Sequence, residues 1–589
     1  MNVMNNLYAF ILGRETKIAL LELESVLRSF CFCSDKNNPE VSRGMDTSDH
    51  EQCRGMDFSI LSVTGNVAII KMEANSEKLI SNNYGGGSKI SDLPNEANEA
   101  KKLMKLLGGT IKIFEIVGEG SNNLIDDIAK IVLENTKDMS GKLNLGISDY
   151  RNLKIDCHDR GRSRNDNMGN INKIGLSVKN ILKKSHNTRF VALKEGNELA
   201  SIVSYKNKLD SKGIEIGLFN GCHSDPPVGG EESQSDKSEI LRRQTSQDDR
   251  KVLLGRLVAV TNPEEWGKRD YDKPRGDKYS GMTPPKLARA LVNIALLQTQ
   301  SQSSKLKAQN CGARSIGGFP TKSGMTEKNN LATRLQAPER SDGGQVQQCD
   351  NCVVVDPFCG SGNILMEAAM LGCGVIGSDI SKKAVDDTRA NLDWLTQNFQ
   401  LSISNFQSNY NYQFLKTNEA PKGPLSEGAS ETNNLIKLFQ ADATRYDFSQ
   451  IFKPNEANPA SEAKTFSIVT EPYLGQPKKF KPSMNAAKGE YQKVKKIYID
   501  FLRNIMSCHP ERMRRISNKD RDSSVEDSFR MTMCIIFPLV ETQEGEQYSL
   551  LNESIDEIRE MGYTLICNPM IYGREYQVVK RQIAFFKIQ

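Results

Sequence analysis

The chain has 589 residues, which is enough for several domains with separate hydrophobic cores. A net charge of only +5 does not by itself indicate a nucleic-acid-binding protein, and 13 scattered cysteines are typical of free thiols in a reducing compartment. No apolar run approaches the roughly 20 residues of a membrane helix, and the start lacks a signal-peptide pattern. These features predict a soluble, cytoplasmic protein.

The first stretch predicts a small α/β unit. Strands and helices are expected in the order strand, helix, strand, strand, helix, strand, which is the ferredoxin-like arrangement. They are predicted at Leu7 to Leu12, 20–30, Ile60 to Thr64, Val67 to Met72, 101–107 and Thr110 to Val117. Polar insertions are expected at 31–56 and 81–97. We therefore predict a ferredoxin-like domain over residues 1–121.

A second unit is predicted over residues 122–219. Its expected helices cover Leu124 to Leu133 and Ile171 to Leu182, and its expected strands cover Leu143 to Ile147, Arg189 to Leu193, Leu199 to Tyr205 and Gly213 to Leu218. Residues 151–190 hold ten Lys or Arg against three Asp or Glu, a net charge of +7 over 40 residues. Such a run is compatible with a solvated helix face and equally with a phosphate-binding surface.

The polar stretch 220–250 is interpreted as a linker, and residues 251–589 as the catalytic domain with polar insertions at about 298–350 and 402–431. In this domain Thr283 is expected to cap a helix whose first position is Pro284. The pair Cys349 and Cys352 has no matching second pair, so we predict no metal site.

The chain is organised around a stretch that begins at Val353. An apolar, β-branched run leads into the turn Asp356-Pro357-Phe358-Cys359-Gly360-Ser361-Gly362, and a second short strand ends at Asp379. This is a βαβ unit with a ligand site at the carboxyl ends of its strands. Its glycines do not follow the dinucleotide pattern G-x-G-x-x-G, so we infer S-adenosylmethionine as the ligand.

Four predicted strands end in polar residues that would lie on one edge of the sheet: Asp356, Asp379, Asp442 and the pair Thr470-Glu471. Asp356 and the glycine turn would hold the methionine end of the cofactor, Asp379 its ribose, and Asp442 with the Ala443 amide its adenine. The predicted cofactor-binding residues are therefore Asp356, Pro357, Phe358, Cys359, Gly360, Ser361, Gly362, Asp379, Ile380, Asp442 and Ala443. Cys359 needs no catalytic role, and core packing is the simpler interpretation of its thiol.

The fourth strand end is expected to face the methyl group. An exocyclic base amine is a poor nucleophile, and oxygen acceptors that bind its protons localise the nitrogen lone pair and align it with the sulfonium methyl. Tyr473 would stack on a base drawn out of its helix. The predicted catalytic residues are Thr470, Glu471, Pro472 and Tyr473.

At these motifs the sequence resembles the THUMP-domain RNA methyltransferases, most nearly the tRNA guanine-N2 methyltransferases that modify the tenth nucleotide. The resemblance rests on the Asp356 and Asp379 motifs and on six further stretches, which are 8–14, 107–110, 174–176, 189–191, Lys268-Arg269-Asp270-Tyr271 and 281–288. It implies a ferredoxin-like amino-terminal domain, a THUMP domain and a Rossmann-like catalytic domain.

Because THUMP proteins grip the acceptor end of tRNA, the resemblance favours RNA binding by the basic segment. The expected RNA-binding residues are Arg160, Arg162, Arg164, Lys173, Lys183, Lys184 and Arg189. The expected partner is tRNA, and a small activator subunit is a further candidate.

The chain departs from the family at its catalytic motif. The family has Asp or Asn, then Pro-Pro, then Tyr or Phe, whereas this chain has Thr470-Glu471-Pro472-Tyr473. Either Glu471 or Thr470 must therefore accept an amine proton, and Glu471 with a backbone carbonyl is favoured. Alternative functions are an rRNA or DNA amino-methyltransferase and an RNA-binding protein whose catalytic domain has decayed.

Overall fold

The computed structural model describes residues 6–29, 57–73, 96–151, 163–221, 251–276, 282–296, 352–399, 436–452, 465–509 and 531–588. The described residues form two sheets, each combined with helices, so the fold is a mixed α/β one. One sheet contains the strands up to residue 260, and the other contains the strands from residue 352 onward.

The first sheet has eight strands in the order β2-β3-β1-β4-β8-β7-β5-β6. Its elements are β1 Leu7–Leu12, α1 Thr16–Ser29, β2 Asp57–Thr64, β3 Val67–Glu73, α2 Glu96–Leu106, β4 Thr110–Gly120, α3 Leu124–Asn135, β5 Lys142–Asp149, α4 Ser163–Leu182, β6 Asn187–Phe190, α5 Ser201–Lys206, β7 Gly213–Asn220 and β8 Val252–Val260. The two predicted amino-terminal units therefore share one continuous sheet. Strand β8 lies in the segment predicted to be catalytic, but it pairs with β4 and β7 and joins them.

One predicted strand in this region is wrong. Residues 199–205 were expected to be extended, but Ser201–Lys206 is a helix, α5. The β-branched Ile202 and Val203 favour a strand locally. Tertiary contacts decide otherwise, because the Ser204 hydroxyl donates to the fully buried Glu215 across 2.6 Å.

The second sheet has the order β11-β10-β9-β12-β13-β17-β15, with β14 paired to β13 and β16 paired to β17. Its strands are β9 Cys352–Asp356, β10 Gly374–Asp379, β11 Ile436–Gln440, β12 Thr465–Thr470, β13 Met531–Glu541, β14 Gln547–Ser549, β15 Tyr563–Leu565, β16 Met570–Tyr572 and β17 Val579–Ile588. Strands β9 to β13 are parallel, and β17 runs antiparallel to β13. The carboxyl ends of the parallel strands therefore meet on one edge.

Helices surround this second sheet. They are α6 Pro263–Gly267, α7 at 285–296, α8 Asn363–Met370, α9 Lys382–Asn398, α10 Ser449–Phe452, α11 Met484–Cys508 and α12 Leu550–Glu560, with a π-helical turn at Lys268–Asp272. Helix α11 packs through one apolar face, since Val494, Phe501 and Ile505 are buried. None of the described helices combines the length and apolar character that a membrane span requires.

Helix α7 connects the two sheets. Its Leu287 and Leu291 lie in one hydrophobic core with Leu23 of α1 and Ile364 of α8. Alongside this core, Glu22 of α1 accepts hydrogen bonds from the Gly108 amide at 2.8 Å and from the Asn293 side chain at 2.6 Å. The amino-terminal sheet and the second sheet are thus joined through shared apolar packing and a buried polar contact.

A buried cluster of charges surrounds Glu367 of α8. Glu367 of α8, 1% exposed, accepts from Arg269 Nε at 2.7 Å through one oxygen and from Arg289 Nη2 at 2.7 Å through the other. The guanidinium of Arg269 also lies over the ring of Trp266, 4.1 Å from its centroid. The carboxylate is therefore compensated by two cations that come from segments preceding β9.

Candidate active site

The glycine turn after β9 has the backbone that only glycine adopts readily. Gly360 and Gly362 have φ of +53° and +82°. A Cβ at Gly362 would come within 2.7 Å of Thr388, whereas a Cβ at Gly360 would meet no atom of the described residues within 4 Å. The turn therefore packs tightly on the α9 side and leaves space beside Gly360. Cys359 is buried and its amide donates to the Ser378 carbonyl at 2.9 Å.

Asp356, at the end of β9, is almost fully buried. Its Oδ1 accepts from the Thr470 hydroxyl at 2.6 Å and from the Phe358 amide at 3.2 Å. Burial raises the pKa of this carboxyl to about 7, and the two hydrogen bonds oppose that rise. A cationic group that bound here would restore the ionised form.

Asp379, at the end of β10, is linked directly to the glycine turn. Its Oδ2 accepts from the Gly360 amide at 3.1 Å and its Oδ1 from the Ser381 amide at 2.8 Å. Burial raises the pKa of Asp379, and these amides oppose that effect. The neighbouring Ile380 side chain is 68% exposed, which leaves an uncovered apolar surface beside a carboxylate.

Asp442 follows β11 and closes a local turn. Its Oδ1 accepts from the Thr444 amide at 2.9 Å and from the Thr444 hydroxyl at 2.7 Å. Ala443 is buried, and its carbonyl accepts from Asn504 of α11 at 3.0 Å. The structure brings Asp356, Asp379 and Asp442 to the same edge of the sheet.

The two candidate acceptors after β12 lie in different surroundings. Thr470 is fully buried and its hydroxyl is bonded to Asp356. Glu471 is largely buried at the edge of the sheet, where Oε1 accepts from Arg581 Nε at 2.6 Å and Oε2 accepts from the Thr283 hydroxyl. Pro472 is buried and Tyr473 is 47% exposed. The predicted cap at Thr283 is wrong, since α7 begins at residue 285, and the Thr283 hydroxyl instead donates to Glu471.

The two hydrogen-bond partners of Glu471 are not predictable from local sequence patterns. Arg581 comes from β17 and Thr283 precedes α7, at separations of 110 and 188 residues. The stretch containing Thr283 was noted as part of the family resemblance, but no sequence pattern pointed to Arg581. Only the antiparallel pairing of β17 with β13 places this arginine at the edge where the parallel strands end.

The predicted RNA-binding residues are described in part. Four of them are exposed: Lys173 on α4, Lys183 and Lys184 just after it, and Arg189 on β6. Arg160 and Arg162 lie outside the described residues, and of Arg164 only the backbone, within α4, is described. Cys349 of the lone cysteine pair also lies outside them.

The sheet order defines an open α/β protein, and the acidic residues lie at the carboxyl ends of its parallel strands, where proteins of this class bind ligands. Residues 347–419 match a family model described as UPF0020, RMKL-like, methyltransferase domain. The methyltransferase resemblance stated from the sequence is therefore confirmed over this segment.

Two curated proteins with the same name are similar to part of the chain. A tRNA (guanine(10)-N2)-dimethyltransferase of Methanothermobacter thermautotrophicus is 51% identical over 157 residues, which is 27% of this chain and 31% of that protein. A tRNA (guanine(10)-N2)-dimethyltransferase of Methanocaldococcus jannaschii is 27% identical over 149 residues, 24% of this chain and 28% of that protein. The matched segments span about a third of the length of these relatives.

Among solved structures, TrmN from Thermus thermophilus aligns with 99% of this chain and 100% of its own chain, at 11% identity and a TM-score of 0.38. A structural similarity this low does not support an inference about function.

Proposed function

We propose that this protein is an S-adenosylmethionine-dependent tRNA methyltransferase that modifies the exocyclic N2 amine of a guanosine. The observation that carries the proposal is the convergence of Asp356, Asp379, Asp442 and Glu471 on one edge beside a glycine turn. The partial similarity to two guanine-N2 methyltransferases supports the choice of base and of tRNA. Both relatives are named for the tenth nucleotide, which is therefore the first position to examine.

The domain assignment is part of this proposal. The strand order β2-β3-β1-β4, with α1 and α2 in the connections, supports a ferredoxin-like unit at the amino terminus. We assign the elements from α3 to β7 to a THUMP domain and the second sheet to a Rossmann-like catalytic domain. Nothing in the described part of the chain identifies a small activator subunit, and we place the enzyme in the cytoplasm, where tRNA is its substrate.

The residues at the edge fit S-adenosylmethionine, which when bound supplies a sulfonium methyl group. Space beside Gly360 leaves room for a ligand near the backbone, as the absence of any atom near a Cβ there indicates. Each carboxylate oxygen of Asp379 accepts one hydrogen bond from a backbone amide, so each can still accept one from a ribose hydroxyl. The exposed Ile380 offers an apolar surface for the adenine ring.

Asp356 and Asp442 complete this cofactor site. The buried carboxyl of Asp356 is suited to the ammonium of the methionine end, because a cation there compensates the cost of ionising it. Asp442 has Oδ1 engaged by Thr444, whereas its Oδ2 has only a long, exposed ion pair with Arg445 Nε at 3.9 Å and can accept from the adenine amine. Pro357, Phe358, Cys359, Ser361 and Ala443 contribute backbone and packing.

We assign the acceptor role to Glu471 rather than Thr470. The Thr470 hydroxyl is buried and turned towards Asp356, so it supports the cofactor site. The Glu471 carboxylate is fixed by Arg581 and Thr283, which removes the reorganisation that a mobile side chain would need. Accepting an N2 proton at Glu471, with a backbone carbonyl as the second acceptor, would localise the nitrogen lone pair towards the methyl group.

Two further groups would hold the RNA. The half-exposed ring of Tyr473, after the buried Pro472, is placed to stack on an extruded guanine. The exposed Lys173, Lys183, Lys184 and Arg189 offer charges to the phosphate backbone, and we extend this surface to Arg160, Arg162 and Arg164 on sequence grounds.

The proposal is tested with the full chain, a tRNA transcript and labelled S-adenosylmethionine. Mass spectrometry of the digested nucleosides should find the label on N2-methylated guanosine. Asp379→Ala should abolish both labelling and cofactor binding, whereas Asp386→Ala on the exposed face of α9 should leave both unchanged. Label on another nucleoside, or no label with a cofactor-binding protein, would contradict the proposal.

A further inference from the structure

Three tyrosines and two arginines from distant parts of the chain lie near one another at one surface. They are Tyr271, Tyr572, Tyr576, Arg14 and Arg574, and we call them the tyrosine–arginine cluster. The rings of Tyr271 and Tyr576 are 83% and 72% exposed, among the most exposed large hydrophobic side chains of the described residues. Arg14 and Arg574 are also exposed, and Tyr572 is half-buried.

The centre of this cluster is the direct contact between Arg574 and Tyr576. Arg574 donates to the Tyr576 hydroxyl, and its guanidinium carbon lies 5.7 Å from the centre of that ring. The hydroxyl groups of Tyr572 and Tyr271 are both near enough to the Arg574 guanidinium to interact with its charge. Arg14, from the loop between β1 and α1, lies within range of Tyr572. The cluster therefore spans the amino-terminal sheet and the last hairpin of the second sheet.

The cluster adjoins the proposed acceptor site. Tyr572 stands opposite Arg581 in the pairing of β16 with β17, and Arg581 donates to Glu471. The loop that carries Arg574 and Tyr576 joins these two strands on the edge where β12 ends. A polynucleotide whose base reaches Glu471 would therefore pass this surface.

The chemistry of the cluster fits unpaired nucleotides. Exposed aromatic rings stack on bases of any sequence, and an arginine beside a ring adds a planar cation that contacts both base and phosphate. Two acidic side chains, Glu15 within range of Tyr572 and Glu575 within the hairpin loop, offset the two arginines. Because net charge is thereby small, stacking on bases rather than phosphate attraction would dominate.

Building on the proposed function, we propose that the tyrosine–arginine cluster stacks unpaired nucleotides of the tRNA next to the guanosine that enters the acceptor site. It holds the strand in the register that presents the target base to Glu471. This gives a role to Tyr271, whose motif Lys268-Arg269-Asp270-Tyr271 is otherwise explained only by the buried Arg269.

The experiment measures tRNA affinity and steady-state methylation for Tyr271→Ala, Tyr576→Ala and the double variant. Each single change should raise the Kd and KM for tRNA roughly tenfold, and the double change roughly a hundredfold. The slope of affinity against salt and the affinity for S-adenosylmethionine should not change. Tyr→Phe at both positions should retain wild-type affinity, because the ring is kept.

Ile571→Ala is the matched control, since Ile571 is 47% exposed on the same strand β16 but carries no ring. Wild-type affinity in the double alanine variant of an enzyme that methylates tRNA would overturn the cluster assignment and leave the proposed function standing. An equal loss in the phenylalanine variants would also overturn it, since hydroxyls and not stacking would then be responsible. Failure of the wild-type chain to bind or methylate tRNA would instead refute the proposed function.

Discussion

The Nε of Arg581 donates to Oε1 of Glu471 across 2.6 Å, and both side chains are largely buried. This pair joins β17 to the segment that follows β12, so the antiparallel part of the sheet fixes the carboxylate that we assign to the acceptor. A largely buried carboxylate with a charge-assisted partner is held in one orientation, and its remaining lone pairs can accept further hydrogen bonds.

Arg581 is therefore expected to be a positioning residue for methyl transfer. Arg581→Ala should lower kcat about a hundredfold, because a displaced Glu471 no longer aligns the amine. Arg581→Lys keeps the charge and should recover part of the loss. The neighbouring Lys580→Ala, which loses a pair with Glu541, is the control and should keep its turnover. Unchanged kcat in Arg581→Ala, measured at saturating tRNA and cofactor, would exclude this role.

Glu471 and Thr470 should give separable effects. Glu471→Gln should lower kcat by about two to three orders of magnitude without altering cofactor affinity, since a preorganised acceptor is lost. Thr470→Val removes the hydrogen bond to Asp356 and should weaken cofactor binding instead. Calorimetric titration with S-adenosylhomocysteine, combined with single-turnover rates, distinguishes the two. If Thr470→Val lowered kcat and Glu471→Gln weakened cofactor binding, Thr470 rather than Glu471 would be the acceptor.

Cofactor affinity should depend on pH through Asp356. Burial raises the pKa of this carboxyl to about 7, so a large share of the free protein carries it protonated at neutral pH. The cationic ammonium favours the ionised form, so affinity should rise as pH increases from 6 to 8 and fall as the carboxyl protonates below 7. Titrations at both values should show this in the wild-type protein. Asp356→Asn should bind weakly at both values, and an equally steep pH dependence in that variant would exclude Asp356.

The buried Glu367 should be needed for stability. Glu367→Gln leaves Arg269 and Arg289 buried without a counter-charge, which costs about 3–5 kcal/mol. The expected result is a clearly lower melting temperature in differential scanning calorimetry. Lys383→Ala, which breaks the exposed pair with Asp387, should cost at most about 1 kcal/mol and serves as the comparison. Equal melting temperatures for the two variants would contradict this expectation.

The sequence by itself determined the local features of the cofactor site. Asp356, the glycines at 360 and 362, and Asp379 follow one another within a single βαβ unit, so hydrophobic runs and turn chemistry suffice to predict their arrangement. The hairpin of β2 and β3 was likewise predictable, because Gly65-Asn66 imposes a two-residue turn.

Tertiary structure decided what depends on contacts between distant segments. Helix α5 replaced a predicted strand because Ser204 bonds to a buried carboxylate, and β8 joined the first sheet because its partners β4 and β7 offered free edges. The partners of Glu471 lie 110 and 188 residues away, beyond the reach of any local pattern. Local periodicity encodes which residues end a strand, whereas sheet pairing alone determines which distant side chains meet there.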